Sequence, residues 1–363
     1  MSERPMIFNP GPAALPVEAL QRTAREMVDL AGTGVGLPEH SHRGPVYGEV
    51  HEEAIALLRE LLSIPDSHEV LLLQGGARQQ FAMVPMNLLP PGRSADYLLT
   101  GHWSVQAQEE AALVGDVRTA VDVQEDDGAF RRIPRQAELE LDPMAAYVHL
   151  TTNNTLYGTQ WPEPPDTGTV PIVADMTSDL LGAPLDVSAF GLIYAAAQKN
   201  LGGAGVTVVI VRRDLIEEPP PLPKVFRYLT HASKGSLYAT PPTVPIALMR
   251  NTLRVLAARG GLAALGAESA AKAARLYGAL EAHPDLYLLS AEPGSRSRMN
   301  VVFRLPTPEL EQRFLAAAEA RRMLGLKGHR VVGGLRARLY HGVAPAWVEA
   351  LAAFCDDFAR DPG

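Results

Sequence analysis

Short apolar runs alternate with helix-periodic stretches through most of this chain. The runs at residues 70–73, 97–99, 117–123, 146–150, 170–174, 192–197 and 206–211 read as strands, since each is short, apolar and bounded by turn residues. Helical patterns at 78–89 and 105–113 lie between several of them. That order predicts an α/β fold with a mostly parallel, seven-stranded sheet covered on both faces. After Pro245 the pattern becomes long, alanine-rich and helical over 246–282, with a break at Gly260-Gly261. A smaller α/β segment follows, with strands at 287–289 and 300–305, a helix at 309–323 and a last helix at 346–358. The expected division is an N-terminal segment over 1–15, a large domain over 16–264 and a small C-terminal domain over 265–363. Apart from the proline-rich link Pro219-Pro220-Pro221-Leu222-Pro223, no biased tract interrupts the pattern.

Composition narrows the function classes. At 363 residues and 47% hydrophobic, the chain can bury two cores without staples. A net charge of -8 with no basic run argues against nucleic acid as partner. No apolar stretch approaches membrane-spanning length, and Met1-Ser2-Glu3-Arg4-Pro5-Met6 lacks the apolar centre of a signal peptide. The single Cys355 excludes an internal disulfide and fits a reducing cytoplasm, most simply as a packed core thiol in the last helix.

Lys199 changes the picture most. It is the first lysine of an arginine-rich chain, and it ends the apolar run before Asn200-Leu201-Gly202-Gly203. A lysine at the end of a buried strand is costly unless its amine is neutralised or used, typically as an imine to a carbonyl cofactor. Alone it reads as a strand cap that snorkels to solvent. Asp175 shifts the balance, because it ends the earlier apolar run 170–174 and is followed by Met176-Thr177-Ser178. Two parallel strand ends would then deliver a carboxylate and an amine to the edge where open α/β sheets bind ligands. Pyridoxal phosphate needs that pair: a carboxylate to keep its ring nitrogen protonated, and a lysine to hold its aldehyde and then move the substrate α-proton. Arginine stays protonated and could not replace Lys199.

Other strand ends carry compatible loops. Gln74-Gly75-Gly76-Ala77-Arg78-Gln79-Gln80-Phe81 passes from strand through glycines into helix, a shape that suits phosphate but that any such turn needs. Trp103, in Thr100-Gly101-His102-Trp103-Ser104, either stacks on a flat ring or is an ordinary half-buried tryptophan. Thr151-Thr152-Asn153-Asn154-Thr155 supplies hydroxyls and amides, as turns often do. His40 and His42 lack a third metal ligand. Gly32-Thr33-Gly34-Val35-Gly36 follows a helical pattern, not the strand a dinucleotide fold requires.

Together these segments resemble the class V aminotransferases of fold type I, and within them the phosphoserine aminotransferase family. The likeness runs from Phe8-Asn9-Pro10-Gly11-Pro12 through Ser41-His42-Arg43-Gly44 and Ala196-Ala197-Gln198-Lys199-Asn200 to Thr240-Pro241-Pro242-Thr243, Arg298-Met299-Asn300-Val301 and Lys327-Gly328-His329-Arg330-Val331-Val332-Gly333-Gly334-Leu335-Arg336-Ala337. It implies pyridoxal 5'-phosphate as cofactor, no metal, and a cytoplasmic homodimer with shared active sites. By resemblance Lys199 is the Schiff-base lysine, Asp175 the partner of the ring nitrogen, Trp103 the stacking platform and Thr155 the partner of the ring hydroxyl. Thr177 and Gln198 resemble neighbours holding ring and phosphate, and Ala77 and Arg78 the phosphate turn, which Thr240 of the other subunit completes. Arg336 resembles the α-carboxylate clamp, and His42, Arg43, His329 and Arg330 the pole for the distal phosphate or carboxylate. Bottom-up, Arg43 and Arg330 could equally be solvated surface charges.

The implied reaction moves an amino group between O-phospho-L-serine and 2-oxoglutarate, giving 3-phosphohydroxypyruvate and L-glutamate in serine biosynthesis. The family also acts on 4-phosphohydroxy-L-threonine in vitamin B6 synthesis, which these residues neither require nor exclude. Ala239, Asn154 and His341 depart from residues frequent in the family and bear on the finer cofactor contacts. The rival readings are another class V transaminase, such as an alanine–glyoxylate or serine–pyruvate type, and a non-catalytic pyridoxal-binding regulatory module. A cysteine desulfurase is disfavoured by the place of Cys355.

Overall fold

The computed structural model describes residues 4–218 and 221–361. Met1, Ser2 and Glu3 of the N-terminal segment, Pro219 and Pro220 of the proline-rich link, and Pro362 and Gly363 of the expected C-terminal domain lie outside the described residues. All seven expected strands form one sheet, in the spatial order 68–74, 206–212, 192–196, 172–175, 148–151, 94–99, 116–122. Only Val206–Arg212 runs antiparallel to its neighbours; the other strands are parallel. The three central strands Val148–Thr151, Ile172–Asp175 and Leu192–Ala196 are buried at every position, which is why they read as continuous apolar runs. In Val206–Arg212, Val208 and Ile210 pack into one core and Val209 and Val211 into the other, the two-residue period of a sheet covered on both faces. The edge strand Asp116–Asp122 is largely exposed and carries Asp116, Arg118 and Asp122, charges that discourage further pairing.

The long helical pattern divides as expected. Thr243–Ala258 and Gly261–Glu281 are separate helices, broken where Gly260 and Gly261 take φ of 100° and 71°. The second helix packs Leu265 against the main-sheet core and Ala273, Leu276 and Leu280 against a second core. That second core also contains Phe8 and Ala14 from the N-terminal segment, with Val301, Leu335 and Phe354.

The C-terminal part departs from expectation in two places. The helix expected over 309–323 ends at Ala320: Arg322 takes a left-handed φ of 60°, and Met323–Leu324 pairs in parallel with Met6–Ile7. The second sheet has four strands, in the order 288–289, 300–304, 333–338, 327–329, of which only the first two are evident in the apolar pattern. Lys327–His329 and Gly333–Arg338 carry His329, Arg336 and Arg338 on positions the sheet buries or half-buries, so alternation is masked.

Candidate active site

Three parallel strands end together and form the floor of a cleft. Thr151 is in register with Asp175, and Asp175 with Tyr194, so the chain leaving each strand opens on the same edge of the sheet. Beyond Leu192–Ala196 the chain turns through Gln198 and Lys199, closed by a Gly202 N–H to Ala197 carbonyl bond of 2.7 Å. A cavity of about 450 Å³ stands over this edge, and its walls include Asp175, Thr177, Gln198, Lys199, Trp103 and Thr155.

Its electrostatics follow from burial. Asp175 is 5% exposed, and its Oδ1 accepts the Thr177 N–H at 2.9 Å. The Thr177 hydroxyl in turn accepts the Ala196 N–H at 3.2 Å, fastening the two strand ends. Burial raises the Asp175 carboxyl above its ordinary value, while the bonds from Thr177 and the nearby Lys199 pull the other way. Burial lowers the Lys199 amine to about 8; Asp175 opposes that shift and Arg336 adds to it. Among the described residues no hydrogen bond or ion pair engages this amine, so it keeps an appreciable neutral fraction near neutral pH, the form a nucleophile needs.

The opposite wall is a helix N-terminus. Gly75, at φ 98°, turns the chain from His68–Gln74 into Ala77–Leu88, whose N-cap Gly76 supplies no side-chain cap bond. Gly76, Ala77 and Arg78 line the cavity, and the uncapped amides and helix dipole there favour an anion. Trp103 begins the helix His102–Ala112; its indole N–H donates to the Thr155 hydroxyl at 3.0 Å, and the Arg78 guanidinium stands 5.4 Å from its ring centre. The buried Thr151 hydroxyl and the Arg336 Nε, both in the lining residues, have no hydrogen-bond partner. An uncapped helix end, a buried carboxylate, a free amine and unpartnered polar atoms around one cavity fit a phosphorylated pyridine aldehyde.

Arg336 and His329 reach the cavity from the second sheet. Arg336 is 3% exposed, donates from Nη1 to the Thr155 carbonyl, and is lowered to about 10 by burial. His329 faces His102 with ring centres 6.3 Å apart; burial first, and Arg336 second, lower its pKa. His42, Arg43, Arg330 and Thr240 do not line this cavity. Arg43 and Arg330 are exposed, His42 is half-buried with Nε2 unpartnered, and Thr240 is exposed with its carbonyl bonded by the Gln74 side chain. Ala239 is half-buried and also lies outside the cavity.

Sequence reasoning missed Asp179. It lies four residues beyond Asp175 in the turn that follows the strand, outside the cavity, accepts from the Thr152 hydroxyl at 2.6 Å and the Gln160 amide at 3.1 Å, and is raised to about 6, chiefly by burial. The only available signal was its spacing from Asp175. Asn154 bonds Thr100 at 3.2 Å and Thr159 at 3.1 Å, and a side chain on Gly101 would clash with it. His341 is likewise buried, bonded to the Leu181 carbonyl at 3.0 Å and lowered to about 4, mainly by burial. Among the described residues no group of three metal-ligating side chains occurs, and His40 bonds the Thr33 hydroxyl at 3.1 Å.

Comparison with known proteins agrees with this geometry. The model of the aminotransferase class-V family matches residues 6–346. A phosphoserine aminotransferase of Lysinibacillus sphaericus is 47% identical over 361 residues, covering 99% of both chains. One from Niallia circulans is 46% identical and covers 100% of both. The solved phosphoserine aminotransferase of Bacillus circulans subsp. alkalophilus superposes with a TM-score of 0.96 at 46% identity, covering 100% of both chains. An alanine–glyoxylate aminotransferase from Nostoc sp., 17% identical with a TM-score of 0.78, shares the fold alone.

Proposed function

The chain belongs to the class V aminotransferase family, and we propose that its cleft exchanges an amino group between O-phospho-L-serine and 2-oxoglutarate in serine biosynthesis. It is a pyridoxal-phosphate-dependent transaminase. The cofactor, when bound, supplies an electron sink that makes the substrate α-proton acidic. Everything else falls to the chain. Asp175 holds the proton on the ring nitrogen, for which a carboxylate fastened by Thr177 at 2.9 Å is suited. Gly76, Ala77 and Arg78, at the uncapped helix end, would hold the phosphate, and Gln198 lines the same cavity. Trp103 and Thr155 line the cavity, where Trp103 would pack on the ring face and Thr155 would meet the ring hydroxyl. Lys199 Nζ takes the proton from the substrate Cα and returns it on the other side of the exchange; its lowered pKa, about 8, lets it act as a base near neutral pH.

Two substrates with two anionic ends each require two poles. Arg336 clamps the α-carboxylate with its fork, consistent with its unpartnered Nε. His329, with His42, Arg43 and Arg330, forms the distal pole. In this reading His42, Arg43, Arg330 and Thr240 serve the site of a partner subunit in a cytoplasmic homodimer, which accords with their standing away from their own chain's cavity. A division into an N-terminal segment, a large domain and a small domain belongs to the same reading, with the change of core falling inside one helix, between Leu265 of the main-sheet core and Ala273 of the second, a little beyond the expected 264/265.

The observation that carries this reading is the unengaged amine of Lys199 beside Asp175, with Arg336 across the same cavity. The test is an absorption spectrum of the purified protein before and after phosphoserine and, separately, serine. A yellow band bleached by phosphoserine alone, and restored by 2-oxoglutarate, supports it. Bleaching by serine or alanine in preference points to another class V transaminase, and a protein colourless even with added pyridoxal phosphate refutes the role of Lys199.

A further inference from the structure

Arg338 is the largest of the fully buried side chains, 1% exposed at the end of the strand Gly333–Arg338. Two residues beyond Arg336, it lies on the same face of that strand. Its partners are all carbonyls: Arg336 at 2.8 Å, Phe8 and Lys327 at 3.4 Å each, and Gly325. Nε has no partner, and no carboxylate among the described residues pairs with it. A buried guanidinium without a counter-ion is costly, and an apolar residue would fill the space at less cost.

Of the carbonyls it gathers, that of Arg336 belongs to a residue lining the cleft, and the others belong to segments adjoining it. Phe8 precedes Pro10 and Gly11, which line the cavity, and Gly325 and Lys327 lead into the strand that carries His329. Burial, and then Arg336, hold it down to about 9, so it remains protonated at neutral pH. Its charge is felt at both Lys199 and His329.

We propose that Arg338 is a positioning residue for the anionic substrates: a buried, uncompensated cation behind Arg336 that latches three segments at or beside the cleft and favours doubly charged acids in it. This rests on the reading of the cleft as a transaminase site with Arg336 as its carboxylate clamp. Arg338→Gln removes the charge and keeps donors for the carbonyls, whereas Arg338→Lys keeps the charge and loses the fork. The holoenzymes are compared by kcat and KM for phosphoserine and by calorimetric titration with inorganic phosphate. With Arg338→Gln, KM and the phosphate Kd rise about tenfold while kcat changes less than about threefold. Arg338→Lys recovers most of that loss. Binding by Arg338→Gln within about twofold of the unsubstituted enzyme, or Arg338→Lys as weak as Arg338→Gln, overturns the proposal. If Arg338→Gln does not fold, Arg338→Lys decides alone: near-normal binding supports it and a tenfold loss overturns it. Turnover of phosphoserine by the unsubstituted enzyme, measured alongside, shows separately whether the underlying reading holds.

Discussion

Lys199 and Lys272 are both buried lysines with pKa lowered to about 8, chiefly by desolvation, and each has a carboxylate nearby. They differ in what their amines do. Lys272, 3% exposed in the helix Gly261–Glu281, donates to the Tyr340 and Val343 carbonyls at 3.1 Å each and pairs with Glu268 at 3.4 Å. Its hydrogen-bonding capacity is used up in tying a loop of the second sheet to a helix. Lys199 stands over a 450 Å³ cavity with its amine unengaged. Burial alone therefore does not mark a catalytic lysine. An amine that is buried, depressed and left without hydrogen bonds does, because the nearby Asp175 offsets only part of the cost and the donors stay free for a reaction partner.

The largest test of that distinction is Lys199→Ala. Turnover of phosphoserine should fall roughly ten-thousandfold while thermal unfolding followed by circular dichroism stays near that of the parent apoenzyme. Near-normal transamination by this variant would break the comparison. Next comes Asp175→Asn, expected to lower kcat roughly a hundredfold or more without loss of folded protein, since the amide cannot hold a positive ring nitrogen. Equal rates for this variant and its parent would remove Asp175 from the chemistry.

Lys272→Ala reverses the pattern. It should cost about 2–4 kcal/mol of stability, by leaving two buried carbonyls without a donor, and leave kcat within a few-fold of the parent. Urea unfolding beside steady-state kinetics checks both halves.

The smallest effect is in pH dependence. A lysine whose folded pKa is near 8 and whose unfolded value is near 10.4 binds its proton more weakly in the folded state. Between those values the unfolded chain binds more protons, so the apoenzyme gains stability as pH rises from about 8 toward 10. Below about 8 the penalty is constant. Lys199→Ala and Lys272→Ala should each flatten the rise of Tm across that window, and an unchanged slope in both would contradict the burial argument.

Much of the cofactor side is legible in the chain, and the anionic poles much less so. Asp175 and Lys199 sit at the ends of short apolar runs, and parallel pairing of the runs is enough to bring them to one edge. Trp103 and the turn at Gly75 also follow strand ends and also reach the cavity. Arg43, Arg330 and Thr240 had only their resemblance to recommend them, and within one chain they stay at the surface. The strands Lys327–His329 and Gly333–Arg338 went unseen because His329, Arg336 and Arg338 occupy positions where an apolar pattern would show.

Local periodicity and turn chemistry by themselves specify the seven main strands, the helix break at Gly260-Gly261 and the pairing of a carboxylate with an amine at one sheet edge, since each depends on residues near one another in sequence. Tertiary structure alone decides how buried polar groups are satisfied. That Lys272 and Arg338 are held by carbonyls, that Asp179 is bonded by Thr152 and Gln160, and that Lys199 is left without a partner depend on segments up to hundreds of residues apart. The reason is that both the depth of burial, which sets the desolvation cost, and the compensation of that cost depend on which distant segments the packed chain brings together.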